Sequence, residues 1–128
     1  MIRDIALAVC GALVIVAGAA LVLAFAQPVL AAPCAGRIVT ASWYGAESGH
    51  RTASGLRFDG SQWLVAHKSL PFGTKLRLTY RGRSVIVPVQ DRGPYIRGRT
   101  LDLSEAVARA LGTKAAGAAR VCMEKIGP

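Results

Sequence analysis

Side chains able to move a proton are scarce in this chain of 128 residues. Beyond residue 31 the carboxylates are Glu47, Asp59, Asp91, Asp102, Glu105 and Glu124, and the histidines are His50 and His67. Two histidines without a close cluster of His, Cys or Asp do not make a usual zinc set, so no metal or other cofactor is expected. No Gly-x-Ser-x-Gly elbow and no glycine-rich phosphate loop occurs. What remains is acid–base work by carboxylate and imidazole, or binding without chemistry. Each candidate also has a plain structural use. Asp102 stands three before Glu105, the spacing of a capping box at a helix start. Asp91, in Asp-Arg-Gly-Pro, could accept the backbone N–H groups of a turn. Asp59 beside Gly60 could be a turn residue, His67 a hydrogen-bonded strand residue, and His50 an exposed loop residue.

The elements that must hold these side chains are mostly short strands. Residues 38–44, β-branched and aromatic, read as a strand ending at Gly45. Residues 46–62, with Gly49, Gly55 and Gly60, read as a long irregular connection, and one that long in a small domain is usually functional. Trp63 to Ser69 reads as a short strand stopped by Pro71 and Gly73. Lys75 to Tyr80 and Arg83 to Gln90 form a β-hairpin across Arg81-Gly82, with Leu76, Leu78 and Tyr80 on one face. Pro88 lacks an amide hydrogen, so its strand is expected to be an edge or to bulge there. Leu101 to Leu103 is a brief extended piece. Ser104 to Leu111 is the one convincing helix, with Ala106, Val107, Ala110 and Leu111 as its apolar stripe and Gly112 as its stop. Arg120 to Ile126 closes the chain as a strand. Many short strands with one helix point to a small β-barrel.

Composition narrows the setting. Hydrophobic content is 52%, raised by Ile5 to Ala26, which carries no charge; downstream the chain is more polar, and basic. The formal net charge is +9, from 16 Lys and Arg against 7 Asp and Glu. Length excludes a large α/β enzyme with a bound dinucleotide, and the spread of Val, Ile, Leu, Tyr and Trp excludes a disordered chain. Residues 1–31 read as a signal peptide cleaved after Ala31, or as an uncleaved N-terminal anchor contacting the membrane through residues 5–26. Twenty-two residues at 1.5 Å each reach about 33 Å, enough for a hydrocarbon core of about 30 Å. Either outcome exports residues 32–128 to the periplasm or the extracellular space. In that oxidising setting Cys34 and Cys122 read as a disulfide, the alternative being two free thiols. Arg77, Arg81, Arg83, Arg92, Arg97 and Arg99 crowd the hairpin and the Asp91 region. Outside the membrane such a cluster meets anionic wall polymers, peptide stems or phospholipid rather than nucleic acid.

Eight short motifs then carry a resemblance. Ala41-Ser-Trp-Tyr-Gly45, Thr52-Ala-Ser-Gly55, Phe58-Asp59, Ala66-His-Lys-Ser-Leu-Pro71, Gly73-Thr74, Gly82-Arg-Ser-Val85, Asp91-Arg-Gly-Pro94 and Gly98-Arg99 with Leu101-Asp-Leu-Ser104 occur in the order and spacing of the RlpA-like (rare lipoprotein A) septal-ring lytic transglycosylases. The chain resembles that family over residues 38–126. The resemblance implies a mainly β fold, a small six-stranded double-psi β-barrel with one short helix, behind an N-terminal signal or anchor helix. It implies cleavage of the MurNAc–GlcNAc bond of peptidoglycan to 1,6-anhydro ends. A single carboxyl suits such a reaction, because the sugar's own 6-hydroxyl replaces water, whereas ordinary glycosidases need two. That acid must stay protonated near neutral pH, through desolvation or a neighbouring carboxylate.

The family's functional set has an acidic residue, an aspartate three positions on and a histidine eight further. Asp59 and His67 match the latter two, and Leu56 stands at the first. The chain also resembles expansins and MltA-type transglycosylases at its barrel aspartates, which makes Asp102 the acid and Asp91 its tuning neighbour. Both pairs stand as catalytic candidates. Substrate contacts are expected from Ser42, Tyr44, Trp63, Arg92, Tyr95 and Arg99, although an aromatic on a strand is as readily core. Ser42, Trp43 and Tyr44 alternate faces, so either Trp43 or the other two point inward. The expected partner is the glycan strand, met by a monomer. A non-catalytic, expansin-like wall-loosening protein is one rival, and a membrane-tethered assembly factor using the basic face is another.

Overall fold

A computed structural model describes residues 33–128. The signal or anchor helix expected over residues 1–31 lies outside the described residues. Six strands alternate apolar and polar positions closely enough to close on one another: β1 (Arg37–Tyr44), β2 (Val65–His67), β3 (Lys75–Tyr80), β4 (Arg83–Asp91), β5 (Leu101–Ser104) and β6 (Ala119–Gly127). They form a closed barrel in the order β1-β5-β2-β4-β3-β6. Two pairs, β1 with β5 and β2 with β4, run parallel, and the rest are antiparallel. Inward positions supply one apolar core, in which Val65, Leu76, Leu78, Val87, Val89, Leu101, Leu103 and Val121 are fully buried.

The hairpin has the expected register, with Tyr80 opposite Arg83. Arg81 (φ 45°) and Gly82 (φ 80°) both lie in the left-handed region, as a two-residue turn matched to strand twist requires. The strand expected over 63–69 shrinks to Val65–His67, because Trp63 turns out to the surface and the chain reverses after His67. Pro88 is on no edge, since the barrel closes. It sits where β4 leaves its pairing with β3 at Lys75, just before the pairing with β2 begins at Val89, so its missing amide costs little. The irregularity falls two residues later. Val65 pairs with Val89 but Ala66 pairs with Asp91, leaving Gln90 as an extra residue.

The helix α1 spans Glu105–Leu111. Its N-cap is Ser104, whose hydroxyl accepts from the Val107 amide at 3.4 Å; Asp102 takes no part in the cap. Val107, Ala108 and Leu111 are the buried face. The inward stripe is therefore rotated from the expected one, because Ala110 faces solvent. Gly112, at φ 88°, ends the helix in the left-handed conformation with its amide on the Ala108 carbonyl. Cys34 and Cys122 are disulfide-bonded, with Cα atoms 5.6 Å apart, and fasten the segment before β1 to β6.

Candidate active site

Strand register collects the polar side chains. Ser42 on β1 is opposite Asp102 on β5, Asp102 is opposite Ala66 on β2, and Ala66 is opposite Asp91 on β4. Directly opposed residues share a face, so Ser42, Asp102, Ala66 and Asp91 form a row across four adjacent strands. The irregularity at Gln90 makes this possible. Without the extra residue, period-two alternation from the buried Val87 and Val89 would turn residue 91 inward as well. The slip carries Asp91 to the outer face instead. At about 4.8 Å per strand, the two aspartates' Cα atoms lie roughly 10 Å apart with the Ala66 methyl between them.

This row floors an open cleft of about 470 Å³, lined further by Tyr44, Ser48, Arg51, Arg92, Gly93, Pro94, Tyr95, Ile96 and Arg99. The two carboxylates have different surroundings. Asp91 is fully engaged: one oxygen accepts from the Tyr44 hydroxyl at 2.7 Å, the other from the amides of Ala53 and Arg92 at 2.8 Å each. Tyr44 in turn stacks on Phe58, with ring centroids 4.6 Å apart. Burial, then its bond to Asp91, pushes the Tyr44 phenol far above its ordinary range, so it stays a donor. Asp102 accepts from the Ser42 hydroxyl at 3.0 Å through one oxygen, and its other oxygen has no partner among the described residues. Burial holds the Asp102 carboxyl above the usual range. The Ser42 bond and the Arg99 charge pull it back, while the Asp91 and Glu47 charges raise it further.

The other expected residues are placed as follows. Tyr95 stands on the cleft rim, 82% exposed. Arg92 lines the cleft, but its guanidinium donates to the Leu70 carbonyl at 2.8 Å and stacks on Phe72. His67 points away from the row. Its Nδ1 accepts from the amides of Ser69 and Leu70 at 3.1 and 3.0 Å, which requires the neutral ring with its proton on Nε2. Burial first, then the charges of Arg92, Lys68 and Arg37, lowers its affinity for a second proton. Asp59 lies outside the cleft and is fully exposed; bonds from the Ser61 side chain and backbone hold its carboxyl below the ordinary range. Trp63 is likewise outside, its indole donating to the Ile86 carbonyl at 2.7 Å. Trp43 faces the core side and donates to the Lys114 carbonyl, which leaves Ser42 and Tyr44 outward. Ser48, Arg51 and Ile96 line the cleft without having been singled out in the sequence. Arg51 belongs to the long 46–62 connection, whose length was the available signal. Among the described residues no group of three or more His, Cys, Asp or Glu side chains can hold a metal ion.

A closed six-stranded barrel with this strand order and an acidic groove across its parallel pairs is a double-psi β-barrel. The chain belongs to the lytic transglycolase family, whose sequence pattern matches residues 37–123. Among its relatives, RlpA of Aquifex aeolicus is 56% identical over 75 residues, covering 56% of this chain and 33% of that protein. The endolytic peptidoglycan transglycosylase RlpA of Pseudomonas aeruginosa is 47% identical over 92 residues, covering 70% of this chain and 27% of that one. The chain thus matches about a third or less of the length of these relatives. Among solved structures, an expansin of Clavibacter michiganensis in complex with cellohexaose superposes with a TM-score of 0.56 at 26% identity, covering 71% of this chain and 52% of that one. The Streptomyces papain inhibitor superposes at 0.58 with 24% identity, over 69% of this chain and 91% of that one, and shares the fold alone.

Proposed function

We propose that this chain is a peptidoglycan lytic transglycosylase domain that cleaves the MurNAc–GlcNAc bond and leaves a 1,6-anhydro end. The observation that carries the reading is the asymmetry of the two aspartates. Asp91 has both oxygens committed, whereas Asp102 has one oxygen free in the cleft and is biased toward its protonated form. One available carboxyl is too few for a two-carboxylate hydrolysis and sufficient for an intramolecular displacement. Asp102 gives its proton to the bridging oxygen as the C1–O bond breaks. The C6 hydroxyl oxygen of the same sugar bonds to C1, and its proton passes to the Asp102 carboxylate, which restores the acid. No water is consumed. Asp91 and Tyr44 position the 46–62 connection and, through the Asp91 charge, help keep Asp102 protonated. Residues 1–31 deliver the domain across the cytoplasmic membrane as signal or anchor, and the barrel works as a monomer on glycan strands.

Release of anhydro-muropeptides from purified sacculi tests this. Asp102→Asn should lower release by about 10²–10⁴-fold, the usual worth of a general acid, and Asp91→Asn by less. Asp59→Asn and His67→Gln, whose side chains lie off the cleft, should stay within tenfold of wild type. Loss of release in those two but not in Asp102→Asn would transfer the chemistry away from the cleft floor. A second reading, glycan binding without cleavage, has the cellohexaose-bound expansin in its favour. It predicts binding to sacculi with no anhydro product.

A further inference from the structure

The slip at Gln90 leaves backbone to be satisfied, because an extra residue in a strand has no residue opposite it. The long 46–62 connection supplies a partner. Thr52 to Gly55 make a tight turn, closed by the Gly55 amide on the Thr52 carbonyl at 3.0 Å. From that turn the Ser54 hydroxyl donates to the Gln90 carbonyl at 2.6 Å, and the Ala53 amide donates to the Asp91 carboxylate at 2.8 Å. The turn thus grips both residues at the slip, one by its backbone and one by its side chain. A hydroxyl has a single proton. Ser54 gives its own to Gln90, so in the 2.9 Å contact between the two hydroxyls Thr52 is the donor. The buried Thr52 oxygen accepts in turn from the Leu56 amide at 3.1 Å. Three bonds therefore run one way, from the Leu56 amide through Thr52 and Ser54 to Gln90, and each polarises the next. In a β4 without the slip, Asp91 would face the core and the Ala53 amide would lose its acceptor.

We propose that Thr52 and Ser54 are positioning residues that hold β4 in its slipped register and so present Asp91 beside the Asp102 acid. This rests on Asp102 being the acid and adds the side chains that keep its neighbour in place. Neither hydroxyl belongs to the cleft lining, so both act through Asp91 and not on the sugar. A turn that merely added stability would be felt in melting alone.

The test is a double-mutant cycle in the full chain, joined to a measurement that needs no turnover. Ser54→Ala should lower kcat for release of anhydro-muropeptides by about 3- to 10-fold, the scale of one hydrogen bond. Ser54→Thr, which keeps a hydroxyl at that position, should restore most of the rate. In an Asp91→Asn background Ser54→Ala should have little further effect, because the charge it positions is already gone. Ser61→Ala removes a hydroxyl that serves Asp59 in the same connection, away from the cleft, and should leave the rate at the wild-type level. Carbon-13 NMR titration of the Asp102 carboxyl reads the positioning directly. The Asp91 charge raises the Asp102 value, so Ser54→Ala should move the midpoint down, in the direction of Asp91→Asn and no further. An equal fold-loss from Ser54→Ala with and without Asp91→Asn would overturn the positioning role. So would an Asp102 midpoint that stays in place while only Tm falls. Absence of anhydro products from the wild-type chain would instead overturn the enzymatic reading and leave the titration to decide.

Discussion

Asp102 differs from every other carboxylate of the barrel in combining burial, a single hydrogen bond and a free oxygen over the cleft. A general acid works while protonated, so the rate should fall as pH rises through the raised Asp102 value. Its neighbours move that limb in opposite directions. Ser42 donates to the ionised form, so Ser42→Ala should shift the alkaline limb to higher pH. The Asp91 charge disfavours ionisation, so Asp91→Asn should shift it to lower pH, besides any loss of rate. A pH profile of kcat/KM for the three proteins checks both signs, and shifts in the same direction would contradict the assignment. The sequence made Asp102 equally readable as a helix cap. Only the pairing of β1 with β5, sixty residues apart in sequence, gives its carboxyl to Ser42 and leaves the cap to Ser104.

Among the elements, the hairpin was legible because alternation and the Arg81-Gly82 link are local signals. The slip at Gln90 was legible only in part, because Pro88 signals a bulge nearby while its place two residues later arises from the partnership of β2 and β4. It nevertheless decides which way Asp91 faces. The turn after β2 illustrates the same division. His67 could be read as a catalytic base or as a strand residue, and its ring instead accepts two amides of its own turn, which Arg92 clasps from the other side. That use has a pH signature. The folded state lowers the His67 affinity for a second proton, so its contribution is present above the unfolded value of about 6.5 and is lost as pH falls through the folded value. Thermal melts should show wild type losing stability between pH 7 and 5 more steeply than His67→Gln. Equal slopes would remove the turn-locking role.

At the scale of the molecule, the barrel, its six strands and the Cys34–Cys122 pairing followed from residue patterns together with the family resemblance, while the charge balance of the cleft did not. Arg51 is an ordinary loop arginine in the sequence, and folding brings it to the lining of the same cleft as Arg99. The disulfide closes 88 positions of sequence, for which loop-closure entropy gives about 4–5 kcal/mol. Reduction, or Cys34→Ser with Cys122→Ser, should therefore lower Tm by roughly 15–40 °C, given about 4–8 °C per kcal/mol for a domain of this size. An unchanged melting curve under reductant would show that the core alone holds β1 against β6.

The central claim is that the sugar's own hydroxyl, and not water, displaces the glycan chain under the Asp102 acid. Digestion of sacculi in ¹⁸O-labelled water, followed by mass spectrometry of the released ends, reads this directly. The account predicts 1,6-anhydro ends without label, produced by the wild type and lost in Asp102→Asn. Labelled reducing ends would mean hydrolysis by a second, unrecognised base. No released ends at all would mean that the cleft binds glycan without cutting it.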